Sequence, residues 1–405
     1  MHPLKRKDLI TALTFIFLAF WLSQPSNLEG RQNLPCLDTI SPTDSLLFAD
    51  PEGSLIYKKN EGRKATPAST LKLLTALTAL HYLRNSYRFQ TEFYVDSDQN
   101  LKIKGYGDPL LISEVWREIA DDLSRKIRKF KDLVLDDAYF SPNIVIPGVG
   151  KSANPYDAPV GALCANFNTI FFDRDDRGQI ISAEPQTPII PFSRGKISSL
   201  RIRKGRYTFT HNGREATLYP GALLLHFLRE RGVESHGKIR LGAIAPEDRL
   251  VYTYRSRFTL EQALRKMMEF SNNFIANQIF IGLGAFVLGP PGTLAKGARV
   301  ISDFAKKELG LKGIEIVEGS GISPKNRLSA LHMLVILRHF ENYRHLLNRK
   351  GNILYKTGSL SGVRARAGYM EGDVRGPYYF VIFINRDESN TDSLMECLSR
   401  TITKK

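Results

Sequence analysis

Cysteine is scarce in this chain. Three are present among 405 residues, Cys36, Cys164 and Cys397. Their spacing fits no metal-ligand pattern, and an odd count in an exported chain leaves at least one free thiol or an unusual pairing. There is no internal repeat and no low-complexity tract, which excludes a solenoid or a repeat array. The N-terminal apolar run, residues 9–22, has 14 residues without a charge. That is short for a transmembrane span, which needs about 20. Acidic residues are in deficit, 41 against 57 basic ones, for a net charge of +16. Such an excess suits nucleic acid, anionic lipid or another anionic polymer, and the compartment decides between them.

The N-terminus supplies the compartment. Lys5, Arg6 and Lys7 form a basic cluster ahead of the apolar run, the order of a signal segment. No small-x-small pair follows cleanly, and Trp21 is bulky beside Ser23. Residues 1–23 are therefore expected to export the chain, either as a cleaved signal or as a retained anchor that ties residues 9–22 to the membrane. Export places the protein in the periplasm or on the outer face of the cytoplasmic membrane, and it argues against nucleic acid as a partner. The odd cysteine count is read in that context.

The stretch around which the chain is organised is Thr66-Pro67-Ala68-Ser69-Thr70-Leu71-Lys72. Thr66 and Pro67 read as the N-cap and first position of a helix. Ser69 and Lys72 then share one helix face. Ala, Leu and Thr fill almost every position from 70 to 80, and a helix apolar nearly all round is normally buried. A serine is a poor nucleophile until a base takes its proton. A lysine desolvated among apolar groups can have its pKa lowered enough to be that base. Ser-x-x-Lys alone is weak, since it recurs at Ser193 and Ser235. Those copies carry Gly195 and Gly237 inside, and no apolar helix follows them. They read as chance matches in a loop or at a strand edge.

The remaining texture suggests three regions after a linker at 24–42. Residues 45–50 and 55–59 read as a hairpin feeding the Ser69 helix. Residues 86–254 alternate short strands and turns, with a helix expected over 114–130, a basic strand over 197–210 and a helix over 223–231. From Thr259 the chain is helical, then strands return at 353–355, 363–370 and 378–384 before a last helix near 392–403. The expectation is an α+β fold in which 43–85 and 255–405 form one helix-and-antiparallel-sheet domain, interrupted by an inserted accessory domain at 86–254.

Two further motifs follow in order. Ser271-Asn272-Asn273 lies between helical stretches, and Lys356-Thr357-Gly358 ends an apolar strand. Ser-x-x-Lys, Ser-x-Asn and Lys-Thr-Gly in that order resemble the signature of penicillin-binding proteins and serine β-lactamases. Ser69 and Ser271 stand 202 residues apart, far more than in a compact β-lactamase. That gap resembles the penicillin-binding protein 4 type of D-alanyl-D-alanine carboxypeptidase and endopeptidase, peptidase family S13. Gly107-Asp108-Pro109-Leu110, Leu135-Asp136-Asp137-Ala138-Tyr139-Phe140, Ala158-Pro159-Val160-Gly161-Ala162-Leu163, Glu318-Gly319-Ser320-Gly321-Ile322-Ser323 and Lys356-Thr357-Gly358-Ser359-Leu360 look like the same family's landmarks. Asn272 departs from the family, which often has Asp there.

The resemblance implies a β-lactamase/transpeptidase-like catalytic domain and a serine hydrolase of peptidoglycan stem peptides ending in D-Ala-D-Ala, with cross-link endopeptidase activity open. Ser69 is expected as acyl nucleophile and Lys72 as proton acceptor. Ser271 would relay a proton, Asn273 would bond the substrate amide, and Lys356, Thr357, Gly358 and Ser359 would hold the substrate's end. The backbone N–H groups of Ser69 and Ser359 resemble the family's oxyanion hole. β-Lactam antibiotics are expected as covalent inhibitors, and no metal or organic cofactor is required. Two rivals stand beside this reading: a serine β-lactamase, for which no deacylating loop glutamate is identified, and a catalytically inert wall-binding module of the same fold.

Overall fold

The structure is a computed structural model that describes residues 38–198, 202, 204–372, 376–386 and 391–402. The expected export segment and the position of Cys36 lie outside them. The chain opens with an antiparallel hairpin, β1 (Ser45–Ala49) and β2 (Leu55–Lys59), and a 3₁₀ turn (Ala68–Leu71) that runs into α1 (Lys72–Leu83). Then follow β3 (Gln90–Val95), β4 (Leu101–Gly105), α2 (Ser113–Ser124), β5 (Lys129–Phe130), β6 (Leu133–Asp136), β7 (Thr169–Arg174), β8 (Ile180–Ser182), α3 (Pro191–Ile197), β9 (Gly205–Thr208), α4 (Gly213–Glu230), β10 (Glu234–Ser235), β11 (Ile239–Leu241) and β12 (Arg249–Arg255). The last stretch holds α5 (Leu260–Glu269), α6 (Asn273–Leu288), α7 (Leu294–Lys307), α8 (Ala330–Phe340), β13 (Asn348–Lys350), β14 (Ile353–Leu360), β15 (Val363–Glu371), β16 (Pro377–Ile384) and α9 (Thr391–Ile402).

The main sheet has the order β13-β14-β15-β16-β1-β2, so the hairpin before Ser69 and the strands after Lys356 share one sheet. Strand β16 pairs antiparallel with β1, Leu47 opposite Val381, and every residue of β16 is buried. Full burial fits its sequence, PYYFVIFI, which is apolar on both faces and needs cover on both. One face packs on α8; the other meets α9 through Leu46, Phe48, Phe380, Ile382 and Leu398. Helix α1 is buried nearly all round, as its composition requires. Its two interior threonines satisfy their hydroxyls, Thr75 by donating to the Gly319 carbonyl and Thr78 to that of Leu74. A second sheet, β11-β6-β4-β3-β12, lies wholly between residues 90 and 255.

Several elements differ from what the sequence suggests. Pro67, not Thr66, precedes the turn that carries Ser69, and that turn is 3₁₀. Thr66 instead donates its backbone N–H to Asn385 Oδ1 and accepts from Arg327. Helix α2 stops at Ser124; Ile127 and Phe130 remain buried past its end, so apolar spacing continues through a turn into β5. The expected strand over 197–210 shrinks to β9, because Pro191 at a helix start turns the preceding residues into α3. Its basic residues have acidic partners: Lys196 with Glu215, Lys204 with Asp173 and Arg206 with Glu184. The helix expected over 223–231 begins ten residues earlier, where Asn212 caps it, and runs through Pro220.

Helices α6 and α7 cross at glycines. A Cβ on Gly297 would sit 2.6 Å from the Phe280 ring, and one on Gly284 would sit 2.7 Å from the Gly297 nitrogen. Gly297→Val should therefore overpack the crossing and cost about 1–3 kcal/mol, read as a lower Tm. An unchanged Tm would show that α7 can move away from α6.

Candidate active site

Ser69 sits in the 3₁₀ turn and is half-buried, while Lys72 is completely buried at the first position of α1. The three-residue spacing brings Lys72 Nζ to 2.9 Å from Ser69 Oγ. The same ammonium donates to Asn273 Oδ1 and to the Ser320 carbonyl, each at 2.7 Å. All three of its N–H bonds thus have protein acceptors, and the group has no contact with bulk water. Desolvation pushes the Lys72 pKa well below the ordinary lysine value; the nearby Lys356 charge adds to this and the Glu318 charge opposes it. When Lys72 loses a proton, the Ser69 bond can reverse, with the hydroxyl donating to the amine.

A second lysine faces the site from the sheet. Lys356 on β14 is buried, and its Nζ donates to Ser271 Oγ at 2.8 Å and to the Thr357 carbonyl at 3.0 Å. Ser271 accepts that bond, so its own proton stays available to another group. Burial, reinforced by the Arg366 charge, lowers the Lys356 pKa to about 8. Along β14 the side chains alternate: Lys356 and Gly358 are buried, Thr357 and Ser359 exposed. Gly358 is required by close approach, since a Cβ there would meet the Ser69 nitrogen at 2.8 Å. Strand β13 pairs only with residues 353–355 of β14. Among the described residues no strand covers the outer edge of β14 from Lys356 onward.

Ser271 and Asn273 stand at the break between α5 and α6. Ser271 has φ +50°, a left-handed conformation that is strained for a residue with a side chain. Asn272 caps α6 by accepting from the Ile275 N–H at 3.0 Å. Asparagine and aspartate both cap well, which explains why Asn272 serves in this place.

Glu318 is the residue whose role residue patterns did not reveal. It is fully buried, and its carboxylate accepts from Ser320 N at 2.7 Å, Ser320 Oγ at 2.6 Å, Gly321 N at 2.7 Å, Ser323 N at 3.3 Å and Asn326 Nδ2 at 2.6 Å. This fixes the loop whose Ser320 carbonyl faces Lys72. Gly321, at φ +83°, lets the loop touch the nucleophile's turn: a Cβ there would lie 1.9 Å from the Ala68 carbonyl oxygen. Ala68 is itself left-handed, at φ +47°. An acidic residue followed by Gly-Ser-Gly was the visible signal, but a carboxylate bonded to its own loop has no periodicity to betray it.

The structure brings Ser69, Lys72, Ser271, Asn273 and Lys356 into contact and sets Thr357, Gly358 and Ser359 on the adjoining strand. It leaves the other two Ser-x-x-Lys copies apart. Ser193 is buried in α3, a short helix rather than the loop or edge expected, and donates to the Ile190 carbonyl; Ser235, in β10, donates to that of Lys131. Asp137 is structural: it accepts from Leu163 N and Thr217 Oγ1, and burial raises its pKa to about 6. Cys164 is free and buried, with its thiol pushed well up by desolvation, whereas Cys397 is disulfide-bonded. Among the described residues no group of three or more His, Cys, Asp or Glu side chains converges as metal ligands.

A sequence profile of the D-Ala-D-Ala carboxypeptidase 3 (S13) family matches residues 50–200 and 205–349. The chain is 25% identical over 401 residues to the D-alanyl-D-alanine carboxypeptidase DacB of Haemophilus influenzae, covering 82% of this chain and 83% of that protein. It is likewise 25% identical over 398 residues to the D-alanyl-D-alanine carboxypeptidase of an Actinomadura species, covering 79% and 73%. In fold it is similar to the crystal structure of penicillin-binding protein 4 from Haemophilus influenzae, with a TM-score of 0.76, 20% identity, and 92% and 99% of the two chains covered. A predatory peptidoglycan endopeptidase of Bdellovibrio bacteriovorus has a TM-score of 0.54 at 16% identity, with 89% and 92% covered.

The Glu318 cluster generates a test. Glu318→Gln turns one accepting oxygen into a donor that faces donors. Each buried group so stranded costs about 1–3 kcal/mol. A lower Tm and at least a tenfold slower acylation by penicillin are expected, because the Ser320 carbonyl loses its fixed place. Wild-type values for both would show that other contacts hold the loop.

Proposed function

The chain belongs to the D-Ala-D-Ala carboxypeptidase 3 (S13) family, and from that premise we propose that it cleaves peptidoglycan stem peptides through an acyl-enzyme on Ser69. The observation that carries this reading is the 2.9 Å contact between Ser69 Oγ and the buried, pKa-depressed Lys72. Neutral Lys72 takes the proton as Ser69 attacks the carbonyl between two D-alanines. The oxyanion forms against the N–H groups of Ser69 and Ser359. Ser271, accepting from Lys356, hands its own proton to the leaving amine and is replenished through that bond. Lys356, Thr357 and Ser359 hold the terminal carboxylate, Asn273 the substrate amide, and Gly358 keeps the strand close to Ser69. The open edge of β14 suits an extended peptide added as a further strand. Water then releases the acyl group. A cross-link differs only in the group on the amine side of the scissile bond, so endopeptidase activity fits the same chemistry. β-Lactams, which carry a matching carboxylate, acylate Ser69.

The catalytic domain comprises residues 43–85 and 255–405, with 86–254 inserted; the main sheet is built from the first set and the second sheet from the other. The protein works outside the cytoplasm, exported by residues 1–23 as a cleaved signal or as an anchor. The disulfide at Cys397 supports an oxidising compartment. No helix among the described residues is long and apolar enough to cross a membrane.

Labelling with a fluorescent penicillin tests the nucleophile. The adduct should vanish in Ser69→Ala and persist in Ser193→Ala and Ser235→Ala; persistence in Ser69→Ala sinks the assignment. Lys72→Arg keeps the charge but cannot give up a proton, so acylation should fall by at least ~10³-fold. A variant that acylates at near the normal rate would mean that another group is the base. The pH dependence follows from Lys356. Its cation is present below a pKa of about 8 and lost above it. KM for a free-acid peptide should therefore rise as pH passes about 8, while KM for the same peptide amidated at its C-terminus should stay level. Parallel curves for the two would remove Lys356 from carboxylate binding.

A further inference from the structure

Strand β15 lies beside β14 and places Arg366 opposite Thr357 and Arg364 opposite Ser359. Cross-strand partners rise from the same face of a sheet, so both arginines share the face of the two exposed hydroxyls. They are not equivalent. Arg364 Nη1 donates to the carbonyls of Leu360 and Val363, which occupies it with its own hairpin. Arg366 donates through Nη1 to the Ala365 carbonyl only, and its Nε is buried without a hydrogen-bond partner. Its acidic neighbour is Asp392 at the start of α9, 3.8 Å away, with a side chain 58% exposed against 15% for Arg366. A loose pair of that kind neutralises little. Lys356 on the opposite face has only neutral oxygens as hydrogen-bond partners, and the Arg366 charge contributes to its depressed proton affinity. Two cations thus flank the free edge of one strand, one from each face, with no anion between them.

We propose that Arg366 is a second carboxylate-reading residue, gripping from above the sheet, alongside Thr357, the same C-terminal carboxylate that Lys356 meets from below. The inference rests on the D-alanyl-D-alanine reading and adds a residue to it. Adjacent strands are about 4.8 Å apart, and an arginine side chain is long enough to cross one such spacing from β15 to the outer edge of β14. Its planar fork suits a carboxylate better than a point charge does. The unpartnered Nε marks donor capacity that the fold itself does not use. Binding of the anion fills that capacity and removes the repulsion between the two cations, so the free-acid terminus is favoured over any neutral end.

The experiment compares full-length wild type, Arg366→Gln and Arg366→Lys on one peptide ending in D-Ala-D-Ala, supplied as the free acid and as the C-terminal amide. Arg366→Gln should lower kcat/KM for the acid about 10- to 100-fold, the scale of a hydrogen bond to a charged group, and leave the amide within threefold. Arg366→Lys, which keeps the charge, should restore part of the preference for the acid. Equal losses on both peptides at an unchanged Tm would overturn the assignment, and so would an Arg366→Lys acid-to-amide ratio as low as that of Arg366→Gln. Failure of the proposed function looks different: the wild-type protein would cleave neither peptide and take no penicillin on Ser69.

Discussion

Everything in the site depends on keeping one ammonium group out of water. Lys72 cannot be solvated at the first position of α1, because that helix is buried on nearly every side. A lone buried cation would cost several kcal/mol. Three acceptors drawn from three separate parts of the chain, Ser69, Asn273 and Ser320, take up its protons instead. None of them carries a full negative charge. Hydrogen bonding is satisfied while Coulombic compensation is kept small, and that combination lowers the pKa without expelling the group. A carboxylate in direct contact would have restored the proton and ended the lysine's use as a base. Glu318 stands back from the ammonium: its oxygens are consumed by five donors of its own loop, and it reaches Lys72 only as a distant charge.

The architecture follows from that need. Residues 69 and 72 come from one turn, 273 from a helix start 201 residues beyond Lys72, and 320 from a loop 248 residues beyond it. Only a packed core holds such distant segments to within hydrogen-bonding tolerance. Backbone strain collects where the segments meet. Ala68 and Ser271 both adopt left-handed conformations, and each directly precedes a residue of the site, Ser69 in one case and the Asn272-Asn273 helix start in the other. Close approach replaces side chains with hydrogen at Gly321 and Gly358, which clear the Ala68 carbonyl and the Ser69 nitrogen. Glycine at these two positions is thus a steric requirement of bringing loop, strand and nucleophile turn together.

How much of this was legible in residues alone varies with the kind of signal. Helix α1 and strand β16 announce themselves through apolar runs of the right length, and the hairpin of β1 and β2 through its Pro-Glu-Gly-Ser turn. The three motifs were legible because each couples a chemical residue type to a position at an element's end. Boundaries were less so. Ile127 continues the apolar spacing of α2 after the helix has ended, since burial and not helicity sets the pattern. The 3₁₀ turn at Ser69 was invisible because Pro67 is compatible with either helix type. Glu318 and Arg366 were missed for a common reason. Their importance lies in the groups they face across loops and strands far apart in sequence, and a single position carries no trace of its spatial neighbours.

The two lysines differ in a way that assigns their tasks. Lys72 is fully enclosed and donates to a hydroxyl, a side-chain amide and a carbonyl; every donor is spoken for. Lys356 donates to Ser271 and to the neighbouring Thr357 carbonyl, and its strand edge stays open. An enclosed cation can change its protonation state but cannot accept a new ligand. A cation at an open edge with unused donor capacity can do the second, provided it keeps its charge. Both feel burial, yet Lys356 retains a pKa of about 8 where Lys72 falls well below the ordinary value. At neutral pH the first arrangement favours proton transfer and the second favours anion recognition. The Ser271 hydroxyl is bonded to Lys356 itself, so the group that orients the substrate's end also orients the proton that the leaving amine must receive.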